Sequence, residues 1–154
     1  MSSFWNTIND PIIALAPMED VTDTAMRELI LSTADVSALH VVMTEFVSTD
    51  GLVHKKARER IIHRLRVTDS ERSLLKQKEV KIVAQIWGNN PDNYTQIIKE
   101  ISSEMDFDGI DINMGCPVPK VVRRGCCSGL IGNPNLAKEI IQAAKEASNL
   151  PVSV

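Results

Sequence analysis

Short runs of apolar residues alternate along the chain with segments in which apolar residues recur every three or four positions. The runs lie at residues 11–18, 40–46, 81–87, 108–113 and 151–154. None of them alternates between apolar and polar positions, which is typical of strands buried on both faces of a sheet. The pattern therefore predicts an α/β fold with about five parallel strands covered by helices.

Capping residues and apolar spacing predict where the helices begin and which faces they bury. Asn90-Pro91 and Asn133-Pro134 each offer an N-cap side chain followed by a proline in the first turn, and Asp20 or Thr22 is predicted to cap an earlier helix. The predicted buried residues are Ala25, Met26, Leu29 and Ile30 in the first helix, Tyr94, Ile97, Ile98, Ile101 and Met105 in the second, and Leu136, Ala137, Ile140, Ile141 and Ala144 in the third.

Two architectures combine parallel strands with covering helices, the open doubly wound sheet and the TIM (β/α)8 barrel. The turn after the first strand, residues 16–20, contains no glycine, which argues against a Rossmann nucleotide site. Polar residues instead follow the strand ends, where a barrel places its chemistry. A full barrel needs eight strands and about 250 residues. We therefore expect residues 1–154 to be the N-terminal part of a TIM barrel, with the C-terminal half of the barrel absent.

Composition narrows the class of protein further. The chain has 154 residues, of which 44% are hydrophobic and 24% charged, as expected for one globular domain. Its apolar runs are too short to span a membrane, and no signal peptide is recognisable. Three cysteines without framework spacing favour a reducing compartment, the cytoplasm. The net charge of −3 means that any contact with nucleic acid must come from a local basic patch.

The segment that ends the fourth predicted strand carries the clearest chemistry. Gly115 permits a sharp turn, which would place the Cys116 thiol at the carboxyl end of the strand, beside the amide of Asn113. A thiol held there could serve as a nucleophile or a proton donor, whereas most cysteines are simply small buried apolar residues. Cys126 and Cys127 lack metal-ligand spacing, so they are predicted to pack in the core and no metal site is expected.

A basic segment covers residues 55–66 and contains six Lys or Arg residues and one Glu. It is open to two interpretations, a surface that contacts nucleic-acid phosphates or a solvated helix. The first would engage Arg58, Arg60, Arg64 and Arg66.

Ile-Asp-Ile-Asn-Met-Gly-Cys-Pro at residues 110–117 resembles the signature of the tRNA-dihydrouridine synthases. Ala-Pro-Met-Glu-Asp-Val-Thr-Asp at 16–23, Thr-Glu-Phe-Val-Ser at 44–48 and Val-Ala-Gln-Ile-Trp-Gly at 83–88 resemble other motifs of that family, in the same order. The resemblance implies an FMN-dependent barrel that reduces the C5–C6 bond of uridine in tRNA, with NADPH or NADH as the reductant.

The resemblance also implies roles for individual residues. Pro17, Met18 and Glu19 would lie against the flavin, and Gln85 would hydrogen-bond its ring. Asn113 would help to hold the uracil. Cys116 would be the general acid that protonates C5 after hydride reaches C6.

Members of the family also have a phosphate-binding segment and a helical tRNA-binding domain, neither of which is recognisable in residues 1–154. We therefore expect the isolated chain to be inactive and to self-associate through open barrel edges. Two other hypotheses stand beside the synthase. One is a non-catalytic half-barrel that acts by pairing with another chain. The other is a different FMN barrel, such as a dihydroorotate dehydrogenase.

Overall fold

Parallel pairing joins all neighbouring strands of the sheet in the computed structural model, which describes residues 3–8, 11–35 and 38–154. The strands within these ranges are β1 (Ala14–Leu15), β2 (Val41–Met43), β3 (Val47–Ser48), β4 (Lys81–Trp87), β5 (Gly109–Ile112) and β6 (Val152–Ser153). Their order is β1-β2-β4-β5-β6, with the short β3 pairing beside the end of β4. The order never reverses direction, as it would in a doubly wound sheet, so the predicted part-barrel is confirmed.

Helices and 3-10 turns connect successive strands. The helices are α1 (Thr24–Thr33), α2 (Thr49–Val53), α3 (Lys55–Ile61), α4 (Asp69–Lys78), α5 (Pro91–Glu104), α6 (Pro119–Val122) and α7 (Pro134–Ala147), and the 3-10 turns are Phe4–Asn6, Ile62–Leu65 and Cys127–Gly132. Asn90 and Asn133 cap α5 and α7 as predicted, because each side chain accepts a hydrogen bond from the first turn. Tyr94, Ile97, Ile98 and Ile101 form the buried face of α5, and Met105 is half-buried next to it.

The prediction for α1 was wrong in its cap and mostly wrong in its buried face, of which Ile30 is partly buried against the core. Asp23, rather than Asp20 or Thr22, accepts a hydrogen bond from the backbone N–H of Met26. The residues that α1 buries are Arg27 and Leu31, whereas Leu29 is 58% exposed. Arg27 faces inward, where it forms a fully buried ion pair with Glu71 of α4.

The strand predicted at residues 40–46 is interrupted. Thr44 leaves the regular ladder because its hydroxyl accepts a hydrogen bond from the backbone N–H of Gln85, and pairing resumes only at β3. Helix α4 was not predicted. Its signal was present in the Thr68-x-x-Glu71 spacing, and the Thr68 side chain does accept from the backbone N–H of Glu71.

Both edge strands pair on one side only within the described residues, β1 with β2 and β6 with β5. Large apolar side chains are exposed beside these edges: Ile12 and Ile13 are 40% and 45% exposed, and Val154 is 66% exposed. An unpaired parallel edge with apolar neighbours is a surface on which further strands can pair. No helix in the described ranges is long and apolar enough to cross a membrane.

Candidate active site at the carboxyl edge of the sheet

A cleft of about 630 Å³ opens where β1, β4 and β5 end. The parallel strands bring their carboxyl ends to one edge, so side chains that are far apart in sequence meet there. Of the residues predicted for the site, four line this cleft: Pro17, Gln85, Asn113 and Cys116. Apolar side chains complete the lining, among them Met43, Phe46, Ile112 and Met114. The cleft therefore combines apolar walls with a few polar groups, as small-molecule sites do.

A chain of hydrogen bonds crosses the floor of the cleft. Asn113 Oδ1 accepts from the backbone N–H groups of Gly115 and Cys116 at 3.1 and 3.0 Å. Asn113 Nδ2 donates to Gln85 Oε1 at 2.9 Å, and Gln85 Nε2 donates to Asp111 Oδ2 at 2.6 Å. Ser153 Oγ donates to the other oxygen of Asp111 at 2.6 Å. Backbone N–H groups at one end and a carboxylate at the other thus determine which way both amides point.

The direction of these hydrogen bonds determines which groups the two amides can still offer to a ligand. A side-chain amide nitrogen carries two N–H groups, and Asn113 and Gln85 each use one of them within the protein. Within the described ranges, the second N–H of each residue has no acceptor and remains to be donated. The pair therefore suits a ligand with carbonyl acceptors. Asp111, which orients Gln85, was not among the predicted site residues, although a lone carboxylate inside an apolar strand is a recognisable signal.

Cys116 is half-buried at the rim of the cleft, and its backbone is held through Asn113. Within the described part of the chain, no hydrogen bond engages its thiol. Cys126 and Cys127 lie in the core instead, 0% and 1% exposed. Burial raises the pKa of Cys126, and burial with the nearby Cys116 and Cys126 raises that of Cys127 to about 12. Both buried thiols therefore stay protonated near neutral pH, which leaves Cys116 as the accessible thiol.

The loop after β1 does not present all of its predicted residues to the cleft. Met18 is 38% exposed, and neither Met18 nor Glu19 lines the cavity. The Glu19 carboxylate turns toward Arg64, with which it forms an ion pair. Glu45, which follows β2, was not among the predicted site residues, yet it is 3% exposed and accepts a hydrogen bond from the backbone N–H of Asp20.

The basic segment at residues 55–66 divides into paired and exposed cations. Arg58 binds the Glu100 carboxylate and the carbonyl of Leu52, and Arg64 binds the loop after β1. Their guanidinium groups already have acidic partners, so a phosphate would have to compete with Glu100 or Glu19 for them, and phosphate contact by these two arginines stays a prediction. Within the described ranges, exposed cations without an ion pair are found at Lys55, Lys56, Arg60 and Arg66.

Comparison with known proteins gives a consistent result. The family model described as "Dihydrouridine synthase (Dus)" matches residues 14–154. The chain is 41% identical over 152 residues to the probable tRNA-dihydrouridine synthase 2 of Bacillus subtilis (strain 168), covering 99% of this chain and 43% of the relative. It is 40% identical over 152 residues to a probable tRNA-dihydrouridine synthase of Staphylococcus epidermidis, with the same coverage of both chains. The chain thus spans less than half the length of these relatives.

Proposed function

Because the chain belongs to the dihydrouridine synthase family, we propose that it carries the ring-binding side of an FMN-dependent active site that reduces the C5–C6 bond of uridine in tRNA. NADPH or NADH would supply the electrons, and the cytoplasm would be the place of action. The observation that carries this proposal is the arrangement of the cleft, in which the amides of Gln85 and Asn113 and the thiol of Cys116 share one cavity.

The residues of the cleft fit a flavin ring. Met43, Phe46 and Pro17 supply apolar surface, and the spare N–H of Gln85 suits a carbonyl oxygen of the ring. Bound FMN would supply the hydride that this protein's own side chains cannot provide. The backbone and side chain of Pro17 would lie against the ring. Met18 and Glu19 would act through the conformation of the loop that contains them.

Reduction of the uracil C5–C6 bond adds a hydride at C6 and a proton at C5. We assign the proton to Cys116, because its half-buried thiol lies at the rim of the cleft and a weak acid there can quench the enolate that hydride addition leaves. Asn113 would donate its free N–H to a uracil carbonyl while its Oδ1 holds the Cys116 backbone. One side chain would thereby fix the substrate and the acid relative to each other.

The exposed cations of residues 55–66 would meet the tRNA backbone. Replacing Lys56 and Arg60 with Gln is expected to weaken tRNA binding and to reduce its salt dependence by a slope of up to about 1 per lost phosphate contact. The measurement is the tRNA dissociation constant at several salt concentrations. Arg58→Gln in the same helix is the matched control, and it should keep the wild-type slope because Glu100 already binds that guanidinium. If the double variant kept the wild-type salt dependence of tRNA binding, residues 55–66 would be a solvated helix that does not contact tRNA.

The function itself is tested by expressing the protein from its full open reading frame and, in parallel, residues 1–154 alone. We expect the former to copurify with FMN and to form dihydrouridine in unmodified tRNA, detected by mass spectrometry of nucleosides. Residues 1–154 alone should retain no flavin and should self-associate, because β1 and β6 leave open edges. If the full-length protein bound no FMN and formed no dihydrouridine, the proposal would be refuted. A monomeric 1–154 chain that binds FMN tightly would show instead that the half-barrel is self-sufficient.

A further inference from the structure

Arg64 lies among three carboxylates at the loop that follows β1. Its Nη1 contacts Glu19 Oε1, and its Nη2 is 3.2 Å from Asp20 Oδ1. Its Nε is 3.9 Å from Glu45 Oε1, and that same oxygen accepts a 2.7 Å hydrogen bond from the backbone N–H of Asp20. The side chains of Arg64 and Glu45 are only 18% and 4% exposed. We call Arg64, Glu19, Asp20 and Glu45 the Arg64 cluster.

The loop held by this cluster contains a residue in an unfavourable backbone conformation. Asp20 has a φ of +57°, in the left-handed region that residues other than glycine seldom adopt. The Thr22 hydroxyl accepts from the backbone N–H of Met18 at 2.9 Å, and the N–H groups of Val21 and Thr22 both donate to the Met18 carbonyl. These bonds close a tight turn over residues 18–22. From outside the turn, Glu45 and Arg64 hold Glu19 and Asp20, and Arg27 donates a 2.6 Å hydrogen bond to the Thr22 carbonyl.

The Arg64 cluster links the two segments of the chain that follow β1 and β2, both of which contribute residues to the cleft. Pro17, which lines the cavity, immediately precedes the fastened turn after β1, and Glu45 stands between Met43, at the end of the neighbouring strand β2, and Phe46, both of which also line the cavity. An Arg guanidinium can bind several carboxylate oxygens at once because its donors form a rigid planar fork. Three carboxylates against one guanidinium leave the cluster negative, so a phosphate would be repelled from it.

We propose that Arg64 is a positioning residue for the flavin: it holds the loop after β1 in the conformation that the bound ring requires, and it does not contact tRNA. This inference rests on the proposed function. Arg60, an exposed arginine four positions earlier with no ion pair in the described ranges, provides the contrast, since it belongs to the surface proposed to meet phosphates.

The test compares two single variants of the full-length protein, Arg64→Gln and Arg60→Gln, with the wild type. Three quantities are measured: the FMN dissociation constant of apoprotein from flavin fluorescence, hydrogen exchange of residues 18–22, and the salt dependence of tRNA binding. Arg64→Gln is expected to weaken FMN binding about tenfold and to accelerate exchange of the Asp20 amide, with the salt slope unchanged. Arg60→Gln should do the reverse, reducing the slope while FMN affinity and exchange stay as in the wild type.

A second variant keeps the test decisive if Arg64→Gln folds poorly. Arg64→Lys retains the positive charge but replaces the fork with a single ammonium, which cannot reach all three carboxylates. A partial loss of FMN affinity in this variant supports positioning. Unchanged FMN affinity and unchanged exchange in both Arg64 variants would overturn the inference, and so would a reduced salt slope in Arg64→Gln. If wild-type protein bound no FMN, the proposed function would fail, while hydrogen exchange at residues 18–22 would still decide whether Arg64 fastens the loop.

Discussion

Cys116→Ala is expected to lower dihydrouridine formation by about 100-fold or more in the full-length protein, while FMN still binds and is still reduced. A positioned general acid contributes a rate factor of this order, and alanine removes the proton without disturbing the backbone bonds that Asn113 makes to Gly115 and Cys116. The measurement is single-turnover formation of dihydrouridine in unmodified tRNA, together with the absorbance change of the flavin on reduction.

The matched control is Cys126→Ala, which removes an equivalent thiol from the core. Its thiol donates one long hydrogen bond, of 3.9 Å, to the carbonyl of Arg124 and does not line the cleft, so turnover should stay within a few-fold of wild type. The buried Cys127→Ala should behave similarly. Normal turnover by Cys116→Ala would refute the assignment of the proton donor, and equal losses in Cys116→Ala and Cys126→Ala would indicate a general packing defect.

Glu71→Ala is expected to cost about 3–5 kcal/mol of the free energy of unfolding, because it would leave the Arg27 charge buried without its partner. Both side chains are 0% exposed, and the guanidinium makes two hydrogen bonds to the Glu71 carboxylate at 2.6 and 2.9 Å. It also donates to the carbonyls of Thr22 and Arg66, so it joins α1, α4 and two connecting loops. Denaturant unfolding measures the effect, which is a large fraction of the stability of an ordinary domain.

Two comparisons show whether the cost comes from the unpaired charge. Asp106→Asn breaks the ion pair with Arg72, in which Asp106 is 95% exposed, and it should change the unfolding free energy by at most about 1 kcal/mol. The double variant Arg27→Met with Glu71→Leu should be much less destabilised than Glu71→Ala, because no buried charge remains. Burial raises the pKa of Glu71 despite the adjacent guanidinium, which agrees with a pair that is costly to break but not strongly stabilising. If the double variant lost as much stability as the single one, the unpaired-charge explanation would be wrong.

Local patterns in the sequence predicted those elements whose determinants lie within a few residues of each other. The start and buried face of α5 follow from Asn90, Pro91 and an apolar stripe, and β4 was predicted with its observed ends, Lys81 and Trp87. Helix α1 was mispredicted because it buries Arg27, whose partner Glu71 is 44 positions away. Apolar periodicity along a helix predicts only which apolar residues face inward, and it carries no signal for a buried ion pair between residues so far apart in the chain.

Sequence patterns were enough to predict the parallel α/β class and to place Gln85, Asn113 and Cys116 at one edge, because parallel strands carry residues at their carboxyl ends to the same side. What those groups can do chemically depends on contacts that came from the three-dimensional structure. It showed that Asp111 and the backbone at Cys116 orient the two amides, and that Arg58 and Arg64 are occupied by carboxylates. The physical reason is that hydrogen-bond direction and charge pairing depend on side chains from different elements meeting within about 3 Å, which spacing along one segment does not encode.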